Sequence, residues 1–276
     1  MTAATHTSRR GRPPRNTFAH GSRALLALTL LALTLLAACG DEPASTSEQT
    51  GQTAASTTPE TTPDASPDPS RCAAPPGVSG SPRTIAQAVT LINALPRPVT
   101  VACVVEALDD PLRLNATDSQ VSAQPADGVA NPRIFIMNEG LVLSVTLGET
   151  GRHLLEFGEL RGDGLSVKGE LIFPIVGEVA PSDPFAHLPY NEDVTTCGLC
   201  HRDEVSAGFI DGVEAFASRP LRPIDASVVP LDDVAALRGA CDPSEGAERC
   251  DLLDALFGRE GVVEARFTEE TRTIFE

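Results

Sequence analysis

Residues 133–175 read RIFIMNEGLVLSVTLGETGRHLLEFGELRGDGLSVKGELIFPI. Short apolar runs recur in this stretch, at residues 133–137, 141–147, 152–157 and 165–175. Each is rich in β-branched and other large apolar residues, and turn residues bound it. Asn138-Glu139-Gly140 separates the first pair of runs, residues 148–151 the second and residues 161–164 the third. Gly in connections this short supplies the positive φ that a tight hairpin needs. Consecutive hairpins predict an antiparallel sheet, folded as a sandwich or as a curved meander.

Outward from this stretch the pattern changes. Residues 99–105 read as a further strand. Before them, Ser81-Pro82 predicts a helix start, with Ile85, Val89 and Ile92 on one face and Pro96 ending it. After Pro181 the chain reads as loop-rich. Residues 231–240 and 245–257 then read as helices, with Cys250, Leu253 and Leu256 or Phe257 facing inward. Residues 262–267 read as a last strand. The fold class expected for residues 72–276 is α+β: an antiparallel sheet or sandwich in the middle, an N-terminal helix and a C-terminal helical pair.

The chain has 276 residues with 21 Lys+Arg against 38 Asp+Glu, a formal net charge of −17. Acidity on this scale excludes a nucleic-acid binder, which needs clustered Lys and Arg to meet phosphate. There is no Trp, and Tyr190 is the one Tyr, so stacking platforms for sugars or bases are not expected. Lys168 is the one lysine.

Residues 1–23 carry Arg9, Arg10, Arg12, Arg15 and Arg23 and no acid, and residues 24–38 run uncharged and apolar. Fifteen such residues are short for a membrane span and suit the apolar region of a signal peptide. The run ends in Leu36-Ala37-Ala38-Cys39-Gly40. This resembles the lipobox of bacterial lipoproteins. The resemblance implies a signal peptide over residues 1–38, cleavage after Ala38, and acylation of Cys39 that anchors the chain in a bilayer. Loss of residues 1–38 would leave 16 bases against 38 acids, a net −22, so attachment would rest on lipid chains alone. Asp41 stands one place beyond the position that retains lipoproteins in the inner membrane. The outer membrane, facing the periplasm, is therefore favoured over the inner one. Residues 39–71 are Ser, Thr, Pro, Ala and acids with almost nothing apolar, and read as a disordered linker.

There are seven cysteines. With Cys39 lipidated and Cys197 and Cys200 in one motif, four remain in an oxidising compartment. Cys241 and Cys250 flank a short turn and are natural partners. Cys72 and Cys103 would then pin the start of the domain to its first strand. Other pairings are open on spacing alone.

The chemistry-bearing motif is Cys197-Gly198-Leu199-Cys200-His201. On a helical turn, i and i+3 share a face and the adjacent His projects beside them. The pattern resembles the C-x-x-C-H haem-attachment motif of c-type cytochromes. It implies one covalent haem c, thioethers from Cys197 and Cys200, and His201 as proximal iron ligand. The resemblance covers five residues and implies no cytochrome fold. No His or Met follows His201, so a sixth ligand would come from Met137, His153 or His187. His153 alternates with Leu155 and Phe157 and is expected to share their inward face. Without such a ligand the iron would be five-coordinate and open to a small molecule. Phe185, Phe209 and Phe216 could wall a haem or be ordinary core. Some β-rich haem proteins with this motif cross-link a Lys to the haem. Here Lys168 alternates with Ser166 and Glu170 and reads as part of a solvated face.

Other readings of the same residues are a Cys197–Cys200 disulfide, a thioredoxin-like exchange pair, or a zinc site that would also use His187. Asp109-Asp110, Asp232-Asp233 and Glu269-Glu270 read as solvated acids, and no hydrolase constellation or phosphate-binding glycine loop stands out. Two hypotheses follow. One is a membrane-tethered haem protein for electron transfer with a periplasmic redox partner, or for small-ligand binding. The other is a non-enzymatic structural or partner-binding lipoprotein with Cys197–Cys200 as a disulfide.

Overall fold

A computed structural model describes residues 72–276, apart from 123, 192 and 193. The expected signal peptide, Cys39 and the linker lie outside the described residues. No helix among the described residues is long and apolar enough to cross a membrane.

The stretch of hairpins forms the middle of the fold. β1 (Leu112–Thr117), β2 (Arg133–Asn138), β3 (Leu141–Thr146), β4 (Leu154–Leu160) and β5 (Ser166–Ile172) pair in sequence order, all antiparallel. Glu139-Gly140 makes the tight turn between β2 and β3, with Gly140 at φ 84°. Beyond β5 the sheet continues through β7 (Val213–Ser218) to β6 (Val205–Ile210) at one edge. At the other edge, β8 (Val228–Val229) and the parallel β9 (Val262–Glu264) both pair with β1. The described residues thus form one nine-stranded sheet, not a sandwich.

Register decides what each face carries. Ile134 lies opposite Val145, Ile136 opposite Leu143, and Leu143 opposite Phe157. Leu114 and Ala116 of β1 and Leu155 and Leu171 join the same side. These residues are at most 4 % exposed. They share one hydrophobic core with α1 (Ile85–Ala94), α2 (Val101–Glu106), and Leu252, Leu253 and Leu256 of α4 (Pro243–Phe257). Period-2 alternation along each strand therefore feeds one core face.

Several local expectations change. Thr84, not Ser81, caps α1, accepting from Gln87 N at 3.1 Å. Residues 101–106 are helical, not a strand. Thr100 caps this short helix, accepting from Cys103 N, and Val101, Cys103, Val104 and Val105 are buried. A β-branched run favours strands only where a strand partner exists. Here only Val99 finds one, in an isolated bridge to Ile175. The segment after Pro181 is less irregular than expected, because it holds the β6–β7 hairpin. Its turn, Asp211-Gly212, has positive φ at both positions (48° and 85°), the primed form that matches strand twist.

α3 (Leu231–Gly239) and α4 pack together at the C-terminal end. Asp242 caps α4, and Pro243 occupies its first turn. Disulfides join Cys72 to Cys103 and Cys241 to Cys250, with Cα atoms 5.1 and 5.6 Å apart. The first ties the start of the described chain to α2 rather than to a strand.

Candidate functional site

The opposite face of the sheet is built from the alternate residues. Thr117, Arg133, Phe135, Val142, Ser144, Glu156, Gly158, Leu160, Ser166, Lys168 and Glu170 share it by register. They line an open cavity of about 170 Å³. The cavity is completed by Cys197, Cys200 and His201, by residues 220–224, and by Phe267, Ile274 and Phe275.

The motif sits on a single helical turn. Cys197–Leu199 is a 3-10 turn, closed by Cys200 N and His201 N donating to Cys197 O at 3.2 and 2.9 Å. Two residues that belong to no recognisable motif hold this turn. Glu204 accepts from Thr195 N and Thr195 Oγ1, both at 2.7 Å. Thr195 Oγ1 in turn accepts from Gly198 N at 3.2 Å. Thr195 is fully buried. Gly198 fits because a Cβ there would lie 2.6 Å from Val194 Cγ2 and 2.7 Å from Glu204 Oε2.

Cys197 and Cys200 are free thiols, while the other four described cysteines are paired. Burial pushes the Cys197 thiol up to about 11, with the Glu156 charge adding to it. A thiol held protonated is a poor exchange nucleophile, which counts against the thioredoxin-like reading. The His201 ring is half-buried, and its Nδ1 lies 2.6 Å from the Arg219 carbonyl oxygen. A carbonyl can only accept, so Nδ1 carries the proton and Nε2 keeps its lone pair. Burial, then the charge of Lys168, pulls His201 down to about 4. The imidazole is thus neutral at physiological pH, the form that ligates metals.

The other expected ligands are elsewhere. His153 is exposed, not turned inward with Leu155 and Phe157, because it precedes β4 in a turn outside the ladder. His187 is exposed, and its Nε2 lies 3.4 Å from Glu170 Oε1. That contact raises its pKa. Met137 is half-buried on β2. None of the three lines the cavity. Phe185 and Phe216 are buried, but Phe209 is 70 % exposed on the edge hairpin and walls nothing. No group of three or more His, Cys, Asp or Glu among the described residues is arranged to hold a metal ion, so the zinc site with His187 does not form.

Lys168 reverses its expected setting. It does alternate with Ser166 and Glu170, but that face is covered by the motif segment, and Lys168 is buried. Burial pulls its amine down to about 8. Beside it, Arg133 donates to Glu156 Oε2, to Ser122 Oγ and, through Nε at 2.9 Å, to Ser144 Oγ. Ser144 Oγ donates to Gln124 Oε1 at 2.9 Å. Phe135 meets Phe267 edge-on at 5.1 Å, and the Arg133 guanidinium lies 4.8 Å from the Phe135 ring centre.

The donor set fits a covalently held haem: two unpaired thiols on one turn beside a neutral imidazole with Nε2 free. The void falls below the ~300–1,000 Å³ of common ligand pockets. The cavity as it stands is therefore smaller than a porphyrin needs. Comparison with family models, with curated proteins and with solved structures finds no match for this chain.

Proposed function

We propose that this chain is a lipid-anchored envelope protein that carries one haem c for small-ligand binding or electron transfer. The observation that carries the reading is the pair of free thiols, Cys197 and Cys200, lining one cavity with His201 in a chain whose other described cysteines are all paired. Cys197 and Cys200 would attach the haem, and His201 would be the proximal ligand through Nε2. When bound, haem supplies a one-electron iron couple and a coordination position for an added ligand.

The chain's own residues set the conditions. The Arg219 carbonyl orients the His201 ring, and Thr195 and Glu204 hold the turn that presents it. Phe135, Val142, Leu188 and Ile274 form an apolar part of the cavity wall. Among the described residues, no second imidazole or thioether lines the cavity. Were haem held there, His201 would be its one imidazole ligand among these lining residues, which suits the small-ligand reading. Anchoring rests on the lipobox, with Cys39 acylated and the outer membrane favoured.

The test is the mass of the exported protein made alongside haem-attachment machinery. One added haem, lost in Cys197→Ala/Cys200→Ala, supports the reading, and an unmodified mass ends it. Cys39→Ser should release the protein from the membrane fraction.

The small void counts against haem and leaves a second reading, a non-enzymatic structural or partner-binding lipoprotein, although the Cys197–Cys200 disulfide expected with it is not formed. A haem stain on denatured protein separates the two.

A further inference from the structure

Lys168 is the only lysine in the chain, and its amine is buried at the wall of the cavity. An ammonium has three donors. Among the described residues Lys168 Nζ has one hydrogen-bond partner, Ser166 Oγ, and no carboxylate within 4 Å. Burying a cation without a counter-ion is costly, and native structures supply one.

The charged groups around it are otherwise engaged. Glu156 of β4 accepts from Arg133 of β2. Glu170, on β5 itself, faces His187. Glu204 is taken by Thr195. Arg222 is bonded to Asp225 and to the Thr271 and Pro223 carbonyls. Cys197 of the motif turn faces Lys168 as a neutral thiol. Gly158 lies directly opposite Lys168 on β4 and leaves open space at its side. The missing partner is thus an anion, and the space for one adjoins the amine.

We propose that the cavity holds a monoanionic oxygen group, a carboxylate, accepting hydrogen bonds from Lys168 Nζ. One buried cation beside Glu156 suits a monoanion and disfavours a phosphate dianion. The acceptor comes from one of two sources: a free carboxylate entering from solution, or a propionate of a haem attached at Cys197 and Cys200. The inference rests on Lys168 and the cavity, and stands with or without haem.

The unique lysine makes the test clean. Protein labelled with carbon-13 lysine gives one side-chain Cε signal, whose pH titration reads Lys168 alone. In Cys197→Ala/Cys200→Ala, which takes no haem, acetate at constant ionic strength should raise the titration midpoint saturably by about one pH unit or more, where one unit is a tenfold preference for the charged amine. Gly158→Leu fills the space beside the amine, since a Cβ there meets nothing nearer than Val142 O at 3.9 Å. It should abolish the acetate response while the protein stays folded. In the haem-loaded protein, a midpoint already raised without acetate identifies the propionate as the acceptor. A midpoint raised only on adding acetate identifies a free carboxylate. A midpoint indifferent to acetate in the haem-free protein, and unchanged by haem in the loaded one, overturns the proposal. Because the first arm uses haem-free protein, its failure leaves the haem reading to the mass measurement.

Discussion

The two faces of one sheet obey the same alternation and reach opposite chemistry. On the helix side, Ile134, Ile136, Leu143, Val145 and Leu155 are essentially inaccessible and meet only other apolar groups. On the other side, the residues between them include Arg133, Ser144, Glu156 and Lys168, gathered under the motif turn. The first face gains stability from dispersion and loss of water contact. The second sets buried charge beside open space. Charges and space of that kind are found where a ligand completes them. If the cavity binds as proposed, stability and binding are separated by strand parity, and mutations on alternate residues should divide cleanly.

The largest effect belongs to the helix side. Leu143→Ala leaves a void between β2, β4 and the helices, and should cost about 2–5 kcal/mol in denaturant unfolding. If a fraction of this variant remains folded, its Cys197 and Cys200 should take haem to the same extent as those of the wild type. Loss of attachment in well-folded Leu143→Ala would break the separation of the two faces.

On the cavity side the sign reverses. Lys168→Met removes a buried charge that has no carboxylate within 4 Å among the described residues, and fills similar volume. In haem-free protein without added carboxylate at pH 7, it should raise stability by up to about 3 kcal/mol. The amine titrates at about 8 when folded and 10.5 when unfolded. Between those values the unfolded chain binds more protons, so wild-type stability rises with pH from about 8 to 10.5. The advantage of the Lys168→Met variant should vanish across that window. A variant less stable than wild type at pH 7 would show that Lys168 already has a partner.

These contrasts mark what the sequence disclosed. β2 to β5 were legible because apolar residues alternate there between glycine-bearing turns. The two disulfide pairs were legible from the even number of remaining cysteines and the nearness of Cys241 to Cys250. α2 was not, because Val101, Val104 and Val105 are strand formers overruled by the Thr100 cap and burial. The β6–β7 hairpin was missed although Asp211-Gly212 signals it, since Ser206, Ala207 and Gly208 give no apolar period. The setting of Lys168 was not legible for a deeper reason. Polar alternation looks the same on a solvated face and on a face roofed by a distant segment. Only the return of residues 195–201 over β5 tells them apart. Of the site, Cys197, Cys200 and His201 were legible as a motif and do gather at one cavity, whereas Thr195 and Glu204 carry no pattern of their own.

A smaller effect tests the imidazole. In haem-free protein His201 titrates at about 4 when folded against 6.5 unfolded, mainly through burial. The unfolded chain binds the extra proton first, so stability is full above pH 6.5 and falls as pH drops toward 4. After discounting for partial exposure the loss is about 2 kcal/mol. His201→Asn keeps a donor for the Arg219 carbonyl and should flatten this slope. An unchanged slope would assign acid lability to other groups; His187 is not one of them, because its raised pKa stabilises the folded state as pH falls.

The smallest effect concerns the turn itself. Thr195→Val keeps the shape of the side chain and removes its hydroxyl. Glu204 Oε2 loses a donor, and Gly198 N loses an acceptor. Glu204 retains the Thr195 backbone N–H, and Gly198 N retains the Thr195 carbonyl at 3.1 Å. Each affected group keeps one partner, so the cost should be about 1 kcal/mol, the net value of an ordinary hydrogen bond. That is too little to unfold the domain. It acts on the segment that sets the spacing of Cys197 and Cys200, so haem attachment should fall more than global stability does. Mass spectrometry of the exported variant gives the fraction loaded, and denaturant unfolding gives the stability. Equal losses in both would make Thr195 an ordinary buried threonine. A selective loss of loading would make the Thr195–Glu204 pair part of the site.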